Sequence, residues 1–317
     1  MKNKKLKYHS ETKTSSASTA SKYVLSALAA VAVLPVAVSS SHAEDAPPDK
    51  VHALLNFEFS DHYLTPRGMI VQDSGLVFQP LVLGFFNLYG SKNFSATLVG
   101  GVWNCFGTDG IPSSDSGGTK KTSWYEIDPI AGLSFGFCKN FTLDVTYTAF
   151  DMQILNIPFS QHLETKLSFN DSPYLKALAL HPYVSFWKEL EGKAVASYST
   201  KSSYYFDIGF APSYTFEKIN LKLEAPCRML LPDSEFYGDN TMGGVAPSST
   251  VALYELGIKG TVPLKFMPKG YGSWSFHAGF KYMNFVDENL QRLANGGGFG
   301  QSTKDVKQVY CGISTFF

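Results

Sequence analysis

The last twelve residues, Val306–Phe317, read VKQVYCGISTFF. Val309, Cys311, Ile313 and Phe317 share one parity and Gln308, Gly312 and Ser314 the other, which is the period-two signature of a strand with one apolar face. Nothing follows to cover that strand. An uncovered edge invites aggregation, so the strand is expected to pair with another elsewhere in the chain.

The same division recurs upstream. In FTLDVTYTAF, Phe141, Leu143, Val145, Tyr147 and Ala149 oppose Thr142, Asp144, Thr146 and Thr148; in LKLEAPCRML, Leu221, Leu223, Ala225, Cys227 and Met229 oppose Lys222, Glu224 and Arg228. A slip of one residue would put those three charges on the apolar side. Against lipid, each basic residue near the midplane would cost about 2–4 kcal/mol, so the register is strongly specified.

Extending the pattern predicts strands at 52–63, 75–90, 94–105, 123–137, 141–151, 161–169, 177–188, 203–216, 219–231, 249–263, 273–286 and 305–317, about twelve in all. Short turns are expected at GSKNF, FCKNF, NDSP and FEKIN. Long polar links fall at TPRGMIVQDSG, GTDGIPSSDSGGTKKTS, ELEGKAVASYSTKS, PDSEFYGDNTMGGVAPSS and DENLQRLANGGGFGQSTKD. KNFSATL at Lys92 and KNFTLDV at Lys139 read as one hairpin device used twice, with Asn93 and Asn140 supplying tolerance of positive φ. An even strand number with turns and loops sorted to opposite ends is the layout of an all-β, transmembrane, antiparallel up-and-down barrel. A soluble sandwich has no reason to sort its loops so.

Composition agrees. The 317 residues are 44% hydrophobic, 15% aromatic and only 17% charged, yet no apolar run of helix-spanning length follows the first segment. The formal net charge is zero, which argues against a nucleic-acid partner. Residues 1–43 have a basic start, an apolar run from about Tyr23 to Val38 and small residues ending in Ser41-His42-Ala43. They read as a secretion signal cleaved after Ala43, with a misplaced start codon or an uncleaved anchor as the alternatives. Residues 44–51 are then a short N-terminal segment and 52–317 one barrel domain.

Two resemblances follow from these motifs. A terminal aromatic preceded by apolar residues of its own parity resembles the C-terminal signal of bacterial outer-membrane barrels, which implies that Phe317 is read by their insertion machinery; Thr315 departs from that pattern. NFEFSDHYLTPRGM, then FQPLVLGFF and YEIDPIAGLSF, are similar to the opening hairpins of the TorF-type putative porins. Tyr63, Arg67, Gly68, Gln79, Glu126 and Asp128 are the matching positions.

Parity places Glu58, Glu126, Asp128, Asp144, Glu164, Lys166, Asp207, Lys222, Glu224, Arg228, Glu255, Lys259 and Lys281 on the inner face. They are read either as compensating pairs that plug a narrow interior or as the wall of a weakly cation-preferring passage. Tyr183, Trp187 and Tyr310 are expected to point inward. Trp124, Tyr125, Tyr204, Tyr205, Tyr271 and Trp274 lie near strand ends and fit an aromatic girdle.

Other chemistries find little support. Ser60, Asp61 and His62 are adjacent, but neighbours on a strand face opposite ways. Neither a G-x-S-x-G elbow nor the His-x-Ser-Asn-Gly pattern of outer-membrane phospholipases occurs, and His277 does not replace it, so no enzyme is expected. Cys105 near a loop end and Cys138 in a turn are too far apart to bridge, while Cys227 and Cys311 read as small apolar residues facing lipid. No C-x-x-C spacing supports a metal, and Asp109, Asp115, Asp233, Asp239 and Asp287 read as solvated loop acids. Asn93 and Asn140 satisfy N-x-[ST] without a reason to be glycosylated in such turns.

The expectation is an outer-membrane, porin-like channel for small polar solutes or ions, without cofactor, in contact with lipid. The alternative is a closed structural or adhesive barrel acting through its long loops, of which GGGFGQSTK is a flexible example.

Overall fold

A computed structural model describes residues 50–112, 121–153, 159–191, 202–237, 249–294 and 302–317. The predicted signal segment and residues 44–49 lie outside them, as do Asp115 and Asp239.

Alternation produces strands β1 (Val51–Ser60), β2 (Tyr63–Leu64), β3 (Ile70–Gln72), β4 (Val77–Gly90), β5 (Phe94–Pro112), β6 (Lys121–Phe137), β7 (Phe141–Met152) and β8 (Ser160–Phe169). They continue as β9 (Tyr183–Glu191), β10 (Tyr204–Phe210), β11 (Ser213–Phe216), β12 (Leu221–Glu224), β13 (Cys227–Pro232), β14 (Leu253–Pro263), β15 (Ser273–Phe285) and β16 (Asp305–Phe316). Two short helices, α1 (Ser172–Leu175) and α2 (Glu288–Leu293), lie in connections. All strands except β2 and β3 belong to one sheet.

That sheet closes. On one side β1 pairs with β4, and on the other with β16 from Leu54↔Phe316 to Ser60↔Tyr310, while β14 pairs with β15. The terminal strand therefore has partners on both edges, β1 and β15, and the edge raised by VKQVYCGISTFF disappears.

Two prolines explain why fourteen segments make twelve spanning strands. Pro212 divides β10 from β11 and Pro226 divides β12 from β13, on neighbouring strands and at the same level. Neither can donate to the ladder, yet their carbonyls accept from Ala225 N at 2.9 Å and Gly257 N at 2.7 Å, so the sheet stays joined across the interruption.

The first and last described residues lie at one end, where Ala53 and Phe317 exchange backbone bonds of 3.3 and 3.0 Å. The turns at 91–93, 138–140 and 217–220 share this inner end. The connecting residues 61–76, 233–237, 249–252, 286–294 and 302–304 lie at the outer end.

The predicted strands match these twelve, with instructive differences. The strand predicted at 177–188 begins at Tyr183, because residues 172–178 form α1 and a 3-10 turn rather than a tight NDSP turn. Asp171 organises that connection: its carboxylate accepts from Leu180 N at 2.8 Å and His181 N at 2.9 Å. In the turn after β6, positive φ falls on Cys138 and Lys139 rather than on Asn140, and Asn93 is not left-handed either. The repeated KNF motif is thus not a repeated backbone device. Asn140 instead donates from Nδ2 to Tyr174 Oη at 2.9 Å.

Outward positions form an apolar belt. Val82, Phe86, Leu98, Leu133, Leu167, Val184, Phe206, Ile208, Phe210, Leu256, Ile258, Phe280, Val309 and Ile313 are all exposed. No single water-soluble fold would leave so continuous a set of large apolar side chains uncovered.

Candidate functional site: the lumen and its infolded hairpin

The link TPRGMIVQDSG departs most from the sequence reading. It turns into the barrel instead of extending outward as a polar loop. Thr65, Arg67, Tyr63 and Met69 are fully or almost fully buried. The turn is local chemistry: Pro66 presets its own φ, Gly68 adopts φ +89°, and Gly68 N donates to Thr65 O at 2.9 Å. Thr65 Oγ1 accepts from Met69 N at 3.0 Å, and β2 and β3 pair as the arms of the hairpin. Arg67 is left at the tip.

The wall holds this hairpin by its main chain. Arg228 Nη2 donates to Pro66 O at 2.7 Å and Tyr237 Oη to Arg67 O at 2.8 Å, while Ile70 N donates to Ala294 O at 2.8 Å. Tyr63 Oη donates to a carboxylate oxygen of Glu126, and Gln308 Nε2 to His62 O at 2.7 Å. Helix α2 closes over it. Asp287 caps α2, accepting from Asn289 N at 2.8 Å and Leu290 N at 2.9 Å, and Leu290 with Phe285 flanks Gly68. Leu64, Met69, Phe150, Trp187, Tyr205, Leu230, Phe236, Tyr237, Met283 and Phe285 join in one buried cluster across the outer half of the barrel.

Below it, charges on the inner face alternate in sign along neighbouring strands. Asp144 and Lys166 are register partners on β7 and β8, and Glu224 and Lys259 on β12 and β14. Arg228 lies between two acids: Nη1 is 2.7 Å from Asp207 Oδ2, and Nη2 is 2.7 Å from Glu255 Oε2, which Nε also reaches at 3.0 Å. Lys281 follows on β15, close enough for its charge to act on Glu255. Ser185 Oγ donates to Glu164 Oε1 at 2.6 Å, and Lys222 Nζ to Glu224 Oε1 at 2.8 Å. This part of the lumen is thus paired, as buried charge requires. It is also wet toward the inner end: the side chains of Glu58, Glu224 and Lys222 keep 27%, 25% and 47% of their exposure.

The predicted lumenal charges therefore separate into two groups. Asp144, Lys166, Glu58, Lys222, Glu224, Lys259 and Lys281 line the accessible inner half. Glu126 and Asp128 are fully buried behind the hairpin, and Glu164, Asp207, Arg228 and Glu255 lie at its foot. Tyr183 and Trp187 point inward as expected, with Lys166 Nζ 4.3 Å from the Tyr183 ring centroid. Tyr310 lies across Gly279, where any Cβ would meet its ring at 2.4 Å.

The girdle needs correction at two positions. Trp124 and Tyr204 are exposed near the outer end and Tyr271 near the inner end, where Trp274 Nε1 donates to Tyr271 O at 2.7 Å. Tyr125 and Tyr205 are buried inside instead, Tyr205 stacking on Trp187. Neighbouring residues of a strand cannot both face outward. Phe317 remains exposed at the inner rim.

The structure also revises the reading of Asp61 and His62. The strand ends at Ser60, so they escape strand alternation, and Asp61 Oδ1 lies 2.9 Å from His62 Nδ1; Ser60 Oγ donates to the backbone of His62, not to its ring. His277 faces Glu58 at 3.4 Å and Ser314 at 3.4 Å. Composition gave no warning of a buried Ser160 Oγ and His162 Nε2 contact of 2.7 Å, nor of Phe150 beside it. Cys105 is buried, Cys138 exposed, and Cys227 and Cys311 half-buried, all as free thiols.

No family model matches the sequence, and no curated protein does. Among solved structures, the chain is similar to the NanC porin at 9% identity and TM-score 0.44, over 82% of this chain and 98% of that one. An outer-membrane channel from Pseudomonas putida F1 aligns at 10% identity and TM-score 0.42, over 86% and 100%. The outer-membrane phospholipase A from Escherichia coli aligns at 10% identity and TM-score 0.40, over 82% and 92%. These neighbours are all outer-membrane β-barrels. The TorF-type resemblance, carried by Tyr63, Arg67, Gly68, Gln79, Glu126 and Asp128, gains no support from them.

Proposed function

We propose that this chain is a bacterial outer-membrane channel for small polar solutes or ions, closed toward the outside by its own infolded hairpin. The observation that carries the reading is the contrast along one lumen. Its inner half is lined by accessible Glu58, Lys222, Glu224, Lys259 and Lys281, whereas its outer half is filled by the hairpin and α2. A barrel that served only as a scaffold would gain nothing from keeping partly solvated charges of both signs inside. Seating in lipid follows from the apolar belt and from the closed hydrogen-bonding of the sheet. Residues 1–43 act as a removed export signal, and Phe317 serves the insertion machinery.

The closed structural or adhesive reading is favoured by one fact, the number of main-chain bonds that anchor the hairpin. Planar-bilayer recording of refolded residues 44–317 separates the two. Ohmic steps whose ion preference shifts on Glu224→Gln and Lys259→Met support the channel, and a folded but silent barrel supports the closed reading.

A further inference from the structure

Arg67 is the least explained side chain in the molecule. It is fully buried, and its Nε, Nη1 and Nη2 have no hydrogen-bond partner among the described residues. Its guanidinium carbon lies 4.8 Å from the Phe150 ring centroid and 5.5 Å from that of Trp187. Asp128 lies within electrostatic reach, fully buried beside Glu126 and the Asp151 backbone, and makes no hydrogen bond to the guanidinium. Glu126 adds a second acid on the same strand.

Two observations show that Arg67 is carried into this place rather than built into it. The hairpin is positioned through the carbonyls of Pro66 and Arg67, held by Arg228 and Tyr237, and not through the guanidinium. The surroundings, meanwhile, are complete without it: two aromatic faces and a carboxylate are the chemistry that recognises a guanidinium or ammonium group, by attraction to the ring quadrupoles and by charge-assisted donation to the acid. An anion is disfavoured there, since the wall beside the rings carries two acids, Asp128 and Glu126.

We propose that Phe150, Trp187 and Asp128 form a binding site for organic cations bearing a guanidinium or ammonium group, and that Arg67 fills it in cis as a tethered mimic of that solute. Displacement of the hairpin hands the site to the incoming cation. This assigns a solute class to the channel proposed above and rests on that reading for its transport role, though not for binding.

The test is binding of argininamide to the refolded barrel in detergent, followed through Trp187 emission as the difference from Trp187→Phe. A tethered competitor acts at high effective concentration, so Arg67→Ala should bind argininamide at least about tenfold more tightly than the native chain. Adding Asp128→Asn to that variant should abolish the gain, and succinate should not bind. Arg67→Gln, which keeps the length of the side chain without its charge, gives the same direction if Arg67→Ala fails to refold. Affinity unchanged in both Arg67 variants, or a gain that survives Asp128→Asn, overturns the site. A barrel that binds argininamide yet passes no current in bilayers would remove the channel and leave the site; one that conducts but gains no affinity would do the reverse.

Discussion

Replacing Arg228 by methionine should destabilise the barrel and free its hairpin in one step. The guanidinium is only 10% exposed and donates to Asp207, to Glu255 and to the carbonyl of Pro66, at 2.7–3.0 Å. Methionine preserves the volume of the stem and removes every donor. Two acids of 11% and 13% exposure are then left facing each other without their shared counter-charge. Breaking a buried pair from one side costs about 3–5 kcal/mol. The lost bond to Pro66 adds about 1 kcal/mol. Lys281 lies near Glu255 and recovers part of the attraction, so the expected loss is near the lower end of the combined range, about 4 kcal/mol. Urea unfolding of the refolded barrel in lipid vesicles, compared at equal slope, measures it. The triple variant Arg228→Met, Asp207→Leu, Glu255→Leu removes the stranded acids and should recover all but about 1.5 kcal/mol, because a well-packed apolar replacement of a buried ion pair is close to neutral. The hairpin tether stays broken in both. A loss below about 1 kcal/mol in the single variant, or an equal loss in the triple, refutes the reasoning.

Three further outcomes follow from the same structure. Cys138 should react with a water-soluble maleimide at once, whereas Cys105 should react only when Arg228→Met loosens the hairpin above it, which mass spectrometry reads directly. Ile258→Arg on the outward face should cost about 2–4 kcal/mol in vesicles if that face meets lipid near the midplane, and much less in denaturant-free detergent refolding yields. Asp171 titrates in the inner-end connection: burial alone would raise its carboxyl, but the amides of Leu180 and His181, with the His181 charge, outweigh this and hold it below the usual carboxylate range. Its stabilisation is therefore present above the unfolded value of about 3.9 and lost as pH falls through the lower folded value. Hydrogen exchange of Leu180 and His181 should accelerate below about pH 4, and Asp171→Asn should be fast at every pH.

The alternation of FTLDVTYTAF and VKQVYCGISTFF was enough to specify the strands, their outward faces and the need for closure, because a period of two has one solution once lipid or solvent is assigned to a face. The same rule contained its own correction at Trp124-Tyr125 and Tyr204-Tyr205, since adjacent strand residues must part. Lumenal position was legible for Asp144, Lys166, Arg228 and Glu255, and so was the sign of their charges. Their pairing was not, because it depends on which strands are neighbours and on the stagger between them, as Asp207 and Arg228 show by meeting across β10 and β13 two residues off register.

What only the tertiary structure decided is the fate of TPRGMIVQDSG. Its polar and glycine-rich composition describes an exposed loop equally well, and its turn chemistry fixes a hairpin without fixing a direction. The inward choice comes from distant partners: Arg228 and Tyr237, which bind Pro66 and Arg67 across 162 and 170 residues, and α2, which packs on Gly68. Local sequence sets backbone conformation and face. Contacts between segments so far apart exist only after the barrel has closed around them, and it is closure that turned a loop into a plug and left an arginine between two aromatic rings.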